Sequence, residues 1–99
     1  MIKLYRLTTG EDVIAAPVKE DTTDLFQAVK KPFVLIPMQG QPGKPMSIGF
    51  HPYIPYTKDE VLKIKKVNII TETNPDSHLL EAYEKNTSSI VTPSKSIIT

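Results

Sequence analysis

The chain has 99 residues, 39% of them apolar and 23% charged, with a net charge of +1. That balance suits one globular domain with one modest core; it argues against a disordered chain and against bulk electrostatic attraction to nucleic acid. The lack of any cysteine excludes disulfides, thiolate catalysis and cysteine-based zinc sites.

The first residues, Met1-Ile2-Lys3-Leu4-Tyr5-Arg6, carry no apolar core of a secretion signal. No apolar run approaches the ~20 residues that span a bilayer. The expectation is a cytoplasmic protein with no membrane partner; Asn86-Thr87-Ser88 matches a glycosylation sequon that is idle without secretion. Residues 2–7 alternate loosely and predict a strand. Thr9-Gly10-Glu11-Asp12 is a turn, and residues 13–19 predict a second strand whose Pro17 marks an edge or bulge. A polar turn at residues 20–24 leads to a third strand at 25–29. Lys30-Lys31-Pro32 interrupts that strand before Phe33-Val34-Leu35-Ile36 resumes it, which predicts one long strand with a sharp bend.

Residues 40–45 predict a loop and 46–50 a strand. His51-Pro52-Tyr53-Ile54-Pro55-Tyr56 reads as extended, because proline biases the residue before it away from helix. Val61-Leu62-Lys63-Ile64-Lys65 alternates, with Leu62 and Ile64 on one face and the lysines on the other. Residues 67–73 predict a last, central strand. A helix is predicted over 75–86, capped by Asn74, with Pro75 and Asp76 in its first turn. Leu79, Leu80 and Tyr83 form its apolar face, and a helix this short must dock to be stable. The Ser/Thr-rich stretch 87–99 predicts a mobile tail. Together these predict a mainly β fold: a small, strongly bent barrel of Sm-like, SH3-like or OB type with one C-terminal helix.

Chemistry-bearing motifs are sparse. Gly40-Gln41-Pro42-Gly43-Lys44 lacks the spacing of a phosphate loop, and Pro45 stands where a magnesium-binding hydroxyl would be. Ordinary turn chemistry explains it better. His51 and His78 are the only histidines, with no third ligand in view, so no metal or other cofactor is expected. Glu11-Asp12 and Asp59-Glu60 read as solvated turns. His51, Tyr53 and Tyr56, near Lys58, could stack bases or cover a subunit contact. Lys63, Lys65 and Lys66 are the densest basic cluster, with Lys30-Lys31 second; a solvated face is the default and phosphate contact the sharper reading.

The order of two motifs resembles the Sm/LSm family, and within it the short Sm-like proteins encoded by tailed cyanophages. Leu7-Thr8-Thr9-Gly10 followed by Asp21 keeps the spacing of the first Sm motif. Ala15 stands where that motif has its internal glycine, and Asp24-Leu25 where it has Met-Asn. Ile64-Lys65-Lys66-Val67-Asn68-Ile69 fits the apolar frame of the second motif, with Lys65 for its arginine and Lys66 for its glycine. The resemblance spans residues 2–73 and, in its phage-type form, the helix as well. It implies an Sm-like barrel over 1–73, a helix over 74–86 packing on the barrel or a partner, and the tail beyond. It also implies a homo-oligomeric ring of roughly five to seven copies and RNA contacts through Lys63, Lys65, Lys66, Asn68 and Asp21.

An open barrel leaves two strand edges with unpaired backbone groups, and head-to-tail pairing of such edges closes a ring. The expected function is therefore non-catalytic: a ring serving RNA-related binding or scaffolding. The rival is a ring that has lost RNA and binds a host or phage protein, favoured by the departures at Asp24, Leu25 and Lys66. An enzyme finds no support, since no Ser-His-acid order, metal cluster or cofactor loop is in view.

Overall fold

The computed structural model describes residues 1–38, 43 and 47–91. The expected loop at 40–45, apart from Gly43, lies outside the described residues, as do Met46 and the tail residues 92–99. Six strands and one helix follow in order: β1 (Lys3–Leu7), β2 (Asp12–Pro17), β3 (Phe26–Met38), β4 (Ser47–Pro52), β5 (Val61–Lys65), β6 (Ile69–Thr73) and α1 (Ser77–Val91). Two short 3₁₀ turns, Lys19–Asp21 and Lys66–Asn68, precede β3 and β6.

All pairings are antiparallel. The sheet runs β4-β3-β2-β1-β6, and β5 pairs with β3 alongside it. The long strand β3 organises everything else. Its first part pairs with β5 (Phe26 opposite Lys65, Lys30 opposite Val61), its second part with β4 (Phe33 opposite Pro52, Met38 opposite Ser47). Between them Lys31 takes a positive φ of 50°, a left-handed conformation that non-glycine residues rarely adopt. The bend thus falls within the Lys30-Lys31-Pro32 interruption.

The bend makes both faces of β2 interior. Tyr5, Leu7, Val13, Ala15, Val29 and Ile64 form one buried cluster inside the folded sheet. Ile14 points the other way and forms a second cluster with Phe33 and Tyr83, flanked by Leu4, Leu35, Phe50 and Leu79. Helix α1 covers that second face. Its Tyr83 ring meets Phe33 edge-on, with centroids 6.1 Å apart, and its hydroxyl donates to the Lys31 carbonyl at 2.7 Å. The helix is thereby tied to the bend itself.

The mainly β class with one C-terminal helix is as expected, and the sheet does not close: among the described residues β5 pairs only with β3 and β6 only with β1. Three expectations are corrected. β6 is an edge and not a central strand, with only Ile69 partly buried, and Val67 and Asn68 belong to the 3₁₀ turn before it. A register shift between Arg6 and Leu7 accommodates that turn. The helix starts at Ser77, because Asp76 Oδ1, and not Asn74, accepts the Leu79 N–H at 2.8 Å. Asn74 instead accepts from Lys3 Nζ at 2.8 Å. At its other end α1 continues to Val91, through residues 87–91 of the expected tail. There the Thr87 hydroxyl, buried, donates to the Tyr83 carbonyl at 3.0 Å. None of the helices described is long and apolar enough to cross a membrane.

Candidate nucleic-acid interface

Three turns converge at the end of the sheet where β3 begins. The first is the Lys19–Asp21 turn, locked by threonines. Thr22 Oγ1 donates to the Val18 carbonyl at 2.8 Å and accepts the Ala28 N–H at 3.1 Å, while Thr23 Oγ1 accepts the Phe26 N–H at 3.1 Å. Such hydroxyl-to-backbone bonds substitute for ladder bonds where the chain reverses. The second is the Lys66–Asn68 turn. It meets the first directly, since the Lys66 N–H donates to the Leu25 carbonyl at 2.9 Å. The third is the β1–β2 turn, whose Thr8 N–H donates to the Asn68 carbonyl at 2.8 Å. The Thr8 hydroxyl also reaches Asn68 Oδ1 at 3.4 Å.

Sequence motifs far apart along the chain, 60 residues for Thr8 and Asn68, are therefore neighbours in space. Lys63 and Lys65 are exposed on one face of β5 while Ile64 between them is buried. Lys66 and Asn68 are exposed on the adjoining turn, and Asp21 is exposed in the first turn. Leu25 and Val67, 69% and 77% exposed, give this end an apolar component that the lysine cluster alone did not suggest. Of the site residues, Asn68 has the firmest anchorage, through Thr8.

The aromatic segment behaves differently. His51 lies on β4 opposite Val34 and is exposed. Tyr53 is half-buried: its N–H donates to the Pro32 carbonyl at 2.9 Å and its side chain packs on the inner cluster. Burial pushes its hydroxyl above the usual tyrosine range, and the Glu11 carboxylate adds to that rise. Tyr56 is 94% exposed. His51 and Tyr53 lie beyond the β3 bend from Lys65, which pairs with Phe26 at the far end of β5. Tyr53 lines a groove of about 690 Å³ with Pro32, Phe33, Pro55 and Leu62.

One charged pair completes the picture. Arg6 and Asp12 form a two-pronged pair at 2.7 and 2.9 Å, which holds the Asp12 carboxyl below its usual range. Among the described residues, no three His, Cys, Asp or Glu side chains stand together as metal ligands would. Sequence reasoning missed Thr8, Thr22 and Thr23, which fix the turns. The signal for the last two was present in Thr22-Thr23 before a strand, a common hydroxyl-turn pattern. No family model matches the chain, and no curated protein matches it in sequence.

Proposed function

We propose that this chain is a non-catalytic module that assembles head to tail into an Sm-type ring and offers a lysine-bearing face to single-stranded RNA. The observation that carries the reading is the junction of the two turns at Lys66 and Leu25, flanked by the outer edges of β5 and β6, which pair with no further strand among the described residues. An exposed strand edge offers a row of backbone donors and acceptors that another strand can complete. Pairing β5 of one copy with β6 of the next would repeat Lys63, Lys65 and Lys66 around a common axis. A modest charge per chain then becomes a concentrated positive surface.

Leu25 replaces a hydrogen-bonding side chain at the turn, so base preference is weak and phosphate contact dominates. Filter-binding titrations with oligo-U and oligo-A across a salt series test this. Affinity falls steeply with salt and differs little between the two oligomers. Lys65→Ala with Lys66→Ala lowers affinity on both and flattens the log–log salt slope by about 1.4, at ~0.7 per lost single-strand phosphate contact. A second reading, a ring that binds a host or phage protein through this face, is favoured by the exposed Leu25 and Val67. Absence of RNA binding by the parent at low salt selects it.

A further inference from the structure

The edge that β5 presents continues past the β3 bend along β4, since both strands pair with the side of β3 that faces away from β2. Among the described residues β4 pairs only with β3. The Tyr53 N–H points inward to the Pro32 carbonyl, so the alternating residues Ser47, Gly49 and His51 face β3 as well. Ile48, Phe50 and Pro52 therefore turn their backbone groups outward. The prolines agree with this phase: Pro37 and Pro52, which have no N–H to give, both fall in the set that makes no β3–β4 bond.

Natural edge strands are blunted by lysine, by inward charge or by a bulge. β4 reads Ser-Ile-Gly-Phe-His-Pro, with no acid and no lysine, and carries only Pro52 at its end. Its own Ile48 is 44% exposed, and Ile36 and Met38 beside it on β3 are 42% and 47% exposed. We propose that β4 is a homotypic docking edge, which pairs antiparallel with β4 of a second copy about a two-fold axis at Gly49.

Charge chooses the occupant. Self-pairing of β5 would bring Lys63 and Lys65 against their own copies, whereas β4 meets itself with no like charges opposed. An axis at Gly49 sets Ile48 opposite the partner's Phe50, apolar against apolar, and places a residue without a side chain at the crossing. The outward N–H and C=O groups of Ile48 and Phe50 then find partners on both copies. The proposal goes beyond the ring: β4 lies along the same side of β3 as β5, but the ring pairing uses the stretch on β5 and leaves the stretch on β4 for a second contact.

Light scattering on the full chain tests it, comparing the parent with Ile48→Pro and Ile48→Lys. Proline at 48 removes only an outward donor, so the chain's own ladder loses no bond; lysine adds the charge that natural edges use. Both variants halve the mass of the parent assembly. That ratio of two holds whether the remaining species is a ring or a single chain, so this proposal and the ring reading fail separately. A parent mass equal to that of both variants, or an odd number of copies in the parent, overturns it. Hydrogen exchange on the parent gives a check that needs no variant. The amides of Ile48 and Phe50 are protected at least tenfold over an unpaired edge, and exchange at the unprotected rate overturns the proposal.

Discussion

Two buried tyrosines allow the same atom to be removed with opposite results. Tyr5 and Tyr83 are 0% and 2% exposed. The Tyr83 hydroxyl donates to the Lys31 carbonyl at 2.7 Å, whereas the Tyr5 hydroxyl finds no hydrogen-bond partner among the described residues. Burial, with a smaller contribution from Glu72, pushes the Tyr5 hydroxyl to about 12, and burial alone pushes Tyr83 to about 12. A satisfied buried hydrogen bond contributes about 1 kcal/mol net, so Tyr83→Phe destabilises by that amount. An unsatisfied buried hydroxyl costs about 1–3 kcal/mol, so Tyr5→Phe stabilises by about 1 kcal/mol or more. For a domain of this size each kcal/mol moves Tm by about 4–8 °C. Urea and thermal unfolding followed by far-UV circular dichroism read both changes. Equal shifts of the same sign would refute the assignment of one tyrosine as partnered and the other as orphaned.

Other consequences are as direct. Lys31→Gly relieves a left-handed conformation that costs an L-residue about 1–2 kcal/mol, against about 0.5–1 kcal/mol for glycine's greater freedom when unfolded; Tm should rise slightly, and a clear fall would show that the bend is not strained. Thr22→Val keeps the shape but loses the bond to Val18 and the acceptor for Ala28 and Gln27, lowering stability by about 1–3 kcal/mol in urea unfolding. Raised tyrosine pKa values stabilise the fold fully below pH 10, and that stability is lost as pH rises through about 12. An alkaline titration of the melting temperature therefore falls over that window, and the fall shrinks in Tyr5→Phe with Tyr83→Phe.

The bend in β3 was legible because Lys30-Lys31-Pro32 breaks the alternation and Pro32 cannot donate to a ladder. The two-sided burial of β2 follows from Val13-Ile14-Ala15, an apolar run without alternation, whose meaning needs the helix on the far face. The place of β6 was not legible. Ile69-Ile70-Thr71 has the composition of a central strand, yet Ile70 is 60% exposed on an edge, and local sequence does not encode which neighbour is missing. The helix cap was misplaced because Asn74 and Asp76 are both able caps, and only the Leu79 N–H decides between them. The helix extends past Asn86 although Thr87-Ser88-Ser89 are weak helix formers; Thr87 sits buried with its hydroxyl bonded back to Tyr83. At the candidate interface the alternation around Lys63 and Lys65 exposed the basic face. The Lys66–Leu25 and Thr8–Asn68 bonds are long-range, and no local pattern announces them.

Assembly through the β5 and β6 edges is read by native mass spectrometry of the Ile48→Pro chain, which keeps those two strands' edges and loses β4 as a docking strand. Assembly through those edges gives one closed species of roughly five to seven copies of the 11.1 kDa chain. A spectrum dominated by the single chain at micromolar concentration would contradict it.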